Sequence, residues 1–213
     1  MNKKYLFDFD GTLVDSMPTF IAVMLKILDE RGIKYDKNIV KTITPLGYVG
    51  TAEYYRSEFG IKDTTDALIE EMNTLALDEY TRVIPAKPGV IETLTELKTM
   101  GADLNVLTAS PHSMLDPCLK RLGIFDIFTN VWSCDDFKTT KANPDIYRMA
   151  AEKINAPIES IIFVDDNPNA IKTARFAGMR VCGIYDASSE EYIDEMKRIA
   201  DNYVTSFAEL LDE

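Results

Sequence analysis

Histidine is almost missing from this chain: His112 is the only one in 213 residues, and Cys118, Cys134 and Cys182 are the only cysteines. An odd number of thiols without paired spacing excludes a disulfide framework and a zinc cluster, and leaves the three as small buried hydrophobes. His112 follows Thr108 closely enough to face a site there, but reads better as a surface-loop residue. Positive charge is also short, with 23 Lys and Arg against 35 Asp and Glu and a net charge of −12. Such a surface repels a nucleic-acid backbone, so no nucleic-acid partner is expected. Long apolar runs are missing too. Phe20 to Leu25 is the longest clear one, far too short to span a bilayer, so no membrane partner is expected. Lys3 and Lys4 precede only three apolar residues before Asp8. Without a signal-peptide core there, the expected location is cytoplasmic.

With 46% hydrophobic residues, the chain can bury a full core, as one domain carrying an insertion or as two modest domains. Residues 16 to 84 lack strand signals and read as a small helical bundle. Phe20, Met24, Ile27 and Leu28 share a helical face closed by Gly32, Ala52, Tyr55 and Phe59 repeat the spacing, and Asp63 or Thr64 caps a helix carrying Leu68, Met72, Leu75 and Ala76. From Pro88 onward helices and strands alternate. Val90, Leu94 and Leu97 form a stripe before a strand over 104–107, and a helix is expected from Asp116-Pro117 to Gly123. Ile127 to Trp132, Ile161 to Val164 and Val181 to Tyr185 read as extended. Asn143-Pro144 and Asn167-Pro168 read as helix starts, and Ser206 with Glu209 as the capping box of a terminal helix. The alternation predicts an α/β fold with a parallel sheet.

The chemistry collects where apolar strands end. Asp8 and Asp10 follow Tyr5-Leu6-Phe7, two positions apart and so on one face. Two carboxylates that close repel unless a cation or proton lies between them, and oxygen ligands favour Mg²⁺. The pair can also divide labour, Asp8 as nucleophile and Asp10 as proton donor and acceptor. An acidic turn closed by Gly11 would look the same. Asp165 and Asp166 follow another strand. Asp166 would complete a metal shell with Asp8 and the backbone carbonyl of Asp10, and Asp165 would be a further ligand or support one; a helix cap is the alternative. Thr108-Ala109-Ser110 ends a strand and offers a hydroxyl and backbone N–H groups to a phosphate oxygen, though a plain strand end reads equally well. Lys141 supplies a cation, with Lys138 competing for the role. Together these are the parts of phosphoryl transfer.

The residues that carry this chemistry resemble the motifs of the haloacid dehalogenase superfamily, helical-cap subgroup, which includes phosphoglycolate phosphatases and beta-phosphoglucomutases. Asp8 to Thr12 matches its Asp-x-Asp-x-Thr motif, Thr108 its strand-end hydroxyl, Lys141 its lysine and Asp165-Asp166 its acidic pair, in that order along the chain. The resemblance implies a Rossmann-like parallel-sheet core from residues 1–15 and 85–213, and an inserted α-helical cap domain over residues 16–84. It also implies an aspartyl-phosphate on Asp8 and acid/base work by Asp10. Two departures stand out: Ala170 falls where many relatives carry a further acid, and the stretch around Phe20 is apolar where related mutases carry a His.

The reading is a Mg²⁺-dependent phosphatase of a small phosphorylated metabolite, as a monomer or homodimer. The alternatives are a phosphomutase of beta-phosphoglucomutase type and a non-catalytic binding module on the same fold. Substrate choice is assigned to cap residues such as Tyr48, Thr51, Tyr54 and Arg56.

Overall fold

Strands buried on both faces need apolar residues at consecutive positions, and Tyr5, Leu6, Phe7 and Phe163 are all fully buried. The structure, a computed structural model, describes residues 3–212. It divides into two compact units, residues 1–15 with 85–213 and residues 16–84.

The first unit is a parallel sheet of six strands: β1 (Lys4–Phe7), β2 (Asp103–Thr108), β3 (Asn130–Ser133), β4 (Ile161–Asp165), β5 (Arg180–Ile184) and β6 (Asn202–Val204), in the order β3-β2-β1-β4-β5-β6. This is a Rossmann-like α/β fold. The order reverses beside β1, which pairs with β2 on one side and β4 on the other, and such a switch point opens a crevice at the carboxyl ends of the strands. Phe7 lies in register with Val106 and Val164, so the residues after β1, β2 and β4 emerge on one edge of the sheet.

Alternation along β1 sorts the two faces. Leu6 joins Leu107, Phe163 and Val181 in one cluster with Tyr147, Ile171 and Ala174. Tyr5 and Phe7 point the other way, stacked with ring centroids 5.4 Å apart, and Phe7 meets Phe207 at 5.7 Å.

The second unit is helical. It contains α1 (Met17–Glu30), α2 (Ile39–Ile43), α3 (Gly47–Glu58) and α4 (Thr65–Arg82). Met24, Ile27 and Leu28 of α1 are buried, as are Ala52 and Tyr55 of α3 and Leu68, Met72 and Ala76 of α4, the faces expected from their spacing. Thr64 is the cap of α4, accepting from Ala67 N. Thr51 is buried, its hydroxyl within 3.2 Å of Met24 Sδ and 3.3 Å of the Ile43 carbonyl. Its side chain is thus spent on the interior of the helical unit, which takes it out of the cap residues among which substrate choice is sought.

The remaining helices belong to the first unit: α5 (Val90–Thr99), α6 (His112–Arg121), α7 (Asp145–Ile154), α8 (Pro168–Ala177) and α9 (Ile193–Ile199). α6 starts four residues earlier than the expected Asp116-Pro117 and carries Pro117 inside it. One proline costs one backbone bond, and buried Met114, Leu115, Cys118 and Leu119 hold the helix regardless. The run from Ile127 splits, with a 3₁₀ turn at Phe125–Ile127 before β3. The terminal segment Phe207–Asp212 is 3₁₀, and Glu209 supplies its half of the capping box by accepting from Ser206 N at 2.8 Å. All three cysteines are buried and none is in a disulfide. Among the described residues, no helix is long and apolar enough to cross a membrane.

Candidate active site

The loop after β1 is wound tightly. Leu13 N and Val14 N both bond the Phe9 carbonyl, at 2.8 and 3.0 Å, and Gly11 N bonds Val14 O at 3.0 Å. Gly11 adopts φ +74, the left-handed region that glycine tolerates. The segment after residue 84 returns alongside, with Asp15 N on Pro85 O and Lys87 N on Leu13 O, each at 3.0 Å.

Asp8, Asp165 and Asp166 converge there, with ligand oxygens within 4.8 Å of one another. All are buried, Asp165 completely. Asp165 is satisfied by Lys141 Nζ at 2.8 Å on Oδ2 and Asn167 N at 2.6 Å on Oδ1. Among the described residues, Asp166 accepts from two hydroxyls, Thr12 at 3.0 Å and Ser189 at 3.2 Å. Lys141 Nζ lies 2.7 Å from Asp8 Oδ1, an ion-pair distance without hydrogen-bond alignment, so that buried oxygen has a cation beside it but no donor aimed at it.

Three carboxylates against one ammonium leave an excess of negative charge. Burial raises the Asp8 carboxyl well above its usual range; Lys141 opposes this, while Asp165 and Asp166 add to it. Burial, then Asp165 and Asp186, push Asp166 up to about 7. Burial works against the Lys141 ammonium, but Asp165 and Asp8 outweigh it and raise its pKa. A buried all-oxygen donor set whose carboxylates outnumber the one ammonium beside them fits a hard divalent cation such as Mg²⁺.

Asp10 is directed elsewhere: its Oδ2 accepts from Ser110 Oγ at 2.5 Å. The Asp10 carboxylate therefore lies outside the carboxylate trio, which leaves its backbone carbonyl as the atom that could join a metal. Thr108 is buried at the end of β2, and its Oγ1 accepts from Ser110 N at 3.1 Å. That bond spends the Ser110 N–H expected to hold phosphate, whereas the Thr108 hydroxyl keeps its own proton to donate. Lys138 is an exposed left-handed residue that ends a 3₁₀ turn, so Lys141 is the lysine brought to the acids. His112 opens α6 with its ring nitrogens each 2.8 Å from a carboxylate oxygen, on Asp116 and on Asp136.

Sequence reasoning missed Lys87, Asp186 and Ser189. Asp186 comes two residues after β5, the kind of address that singled out Asp8 and Asp165, and so could have been found. Lys87 has no such signal, being a lone lysine before Pro88.

Comparison with known proteins agrees with this geometry. The chain belongs to the haloacid dehalogenase-like hydrolase family, whose model matches residues 5–184. N-acetylmuramic acid 6-phosphate phosphatase of Pseudomonas putida is 27% identical over 184 residues, covering 84% of this chain and 81% of its own. A Thermotoga maritima structure provisionally named a beta-phosphoglucomutase superposes with TM-score 0.82 at 21% identity, over 99% of this chain and 97% of that one. Bacillus subtilis YfnB, bound to magnesium, gives 0.81 at 16%, over 99% and 97%. At such identities the structural likeness establishes the fold, while the family and its phosphatase relative support a phosphoric monoester hydrolase.

Proposed function

We propose that this enzyme is a Mg²⁺-dependent phosphatase that passes the phosphoryl group of a small phosphorylated metabolite through Asp8. The observation that carries the reading is the pairing of two differently placed carboxylates: Asp8 buried 2.7 Å from Lys141, and Asp10 aligned by Ser110 at 2.5 Å. In the first step an Asp8 carboxylate oxygen attacks phosphorus, the bond to the leaving oxygen breaks, and Asp10 gives that oxygen its proton. In the second, Asp10 takes a proton from water as the water attacks phosphorus, releasing phosphate and restoring Asp8. Lys141 balances charge beside the nucleophile, and the Thr108 hydroxyl with the Ala109 N–H receives phosphoryl oxygens. Asp8, Asp166 and the Asp10 carbonyl, with Asp165 beside them, would hold Mg²⁺, which when bound would supply positive charge to polarise the phosphoryl group.

The helical unit, residues 16–84, is the part we assign to choosing the substrate, through Tyr48, Tyr54 and Arg56. A phosphomutase would use the same intermediate but return the phosphoryl group to a sugar. Phe20 favours hydrolysis: its ring stacks on Tyr48 at 4.7 Å, where the resemblance places a polar residue in mutases. Incubation with an aryl phosphate should release phosphate with Mg²⁺ and none with chelator. Hexose 1-phosphates should give free sugar and phosphate in equal amounts, and accumulation of hexose 6-phosphate would establish the mutase instead.

A further inference from the structure

Lys87 belongs to no sequence motif of the site, yet its ammonium is largely enclosed, with 15% of the side chain exposed. An ammonium has three protons to donate, and here three acceptors meet it: the Gly11 carbonyl at 2.7 Å, the Tyr185 carbonyl at 2.7 Å and Asp186 Oδ2 at 2.9 Å. Its backbone is held as well, through Lys87 N on Leu13 O at 3.0 Å. Lys87 therefore joins the loop after β1 to the loop after β5.

Both loops touch the same metal-site carboxylate. A Cβ on Gly11 would fall 2.7 Å from each oxygen of Asp166, so that residue lies directly against the carboxylate. From the other loop Ser189 donates to Asp166 Oδ2 at 3.2 Å. Asp186 is itself locked, with Oδ1 accepting from Ser188 N at 2.8 Å and Ser188 Oγ at 2.6 Å. The ammonium thus fixes, from behind, the two walls between which Asp166 is set.

We infer that Lys87, paired with Asp186, is a positioning residue that sets the divalent-cation affinity of the site by clamping the Gly11 carbonyl against the loop that presents Ser189. The inference rests on the metal-dependent reading above. Lys87 touches no reacting atom. Supports of this kind typically change metal affinity about 10–100-fold when removed.

The test is calorimetric titration of Mg²⁺ into metal-free wild type, Lys87→Met and Lys87→Met/Asp186→Asn, with phosphate release measured against Mg²⁺ concentration. The double variant removes the buried carboxylate that the single change strands, which protects folding. The expected result is a Mg²⁺ Kd about 10–100-fold weaker in the folded variants. Turnover at saturating Mg²⁺ should stay within about threefold of wild type, because the residues that touch substrate are intact. Variants that melt lower but bind Mg²⁺ as tightly as wild type would overturn the inference, as would failure of both to fold, since Lys87 would then be scaffold alone. A wild type that binds no Mg²⁺ would overturn the metal-dependent reading itself, and this inference with it.

Discussion

Gly11 and Asp166 are fitted to each other: a methyl group on Gly11 would meet both carboxylate oxygens of Asp166 at 2.7 Å. The same residue holds φ +74, so two separate constraints demand glycine there. Gly11→Ala should lower stability by about 1–3 kcal/mol through backbone strain alone. It should also cut kcat/KM by roughly a hundredfold or more, because the displaced carboxylate is a candidate metal ligand. Thermal melts and steady-state kinetics read the two effects separately.

Lys141 and Lys138 make a second test, since only one reaches the acids. Lys141→Ala should cost roughly a hundredfold or more in kcat, the scale for removing a positioned charge-stabilising donor, and Thr108→Ala should cost as much. Lys138→Ala should leave turnover near the wild-type value, because its side chain is exposed. A crippled Lys138 variant beside a mild Lys141 variant would reverse the assignment.

The fold is readable in the chain because parallel strands buried on both faces announce themselves as largely apolar runs, and the ends of three of these runs carry the candidate site residues. Asp8, Thr108, Asp165 and Asp166 were found that way. The start of α6 was misplaced because Pro117, usually a first-turn residue, sits mid-helix here. Strand β6, only Asn202–Val204, is too short to show a period. Lys87 was invisible for another reason. What defines it is three acceptors drawn from two distant loops, and no local pattern encodes that convergence.

Asp8 and Asp166, both raised by burial, shape the pH response of the metal-free protein, and Asp166 is the share that can be tested by substitution. Burial, with Asp165 and Asp186 behind it, holds this carboxyl at about 7 rather than 3.8, so the folded state binds the proton more tightly than the unfolded chain. The stabilisation is complete below the ordinary value and is lost as pH rises through about 7. In chelator, wild type should therefore melt higher at about pH 5.5 than at about pH 8. Asp166→Asn should shrink that difference, leaving the share of Asp8, and melt above wild type at the higher pH, because it removes a buried uncompensated charge. Saturating Mg²⁺ should erase the advantage of the variant. An identical pH profile in both proteins would contradict the assignment.

The most direct measurement is the fate of the phosphoryl group itself. Wild type mixed with an aryl phosphate and Mg²⁺, quenched in acid within one turnover and digested, should yield the peptide containing Asp8 with the added mass of one phosphoryl group. Asp8→Asn should stay folded, yield no such adduct and release no phosphate. Phosphate release by the Asp8→Asn protein near the wild-type rate, or a phosphoryl adduct on any other residue, would contradict the account.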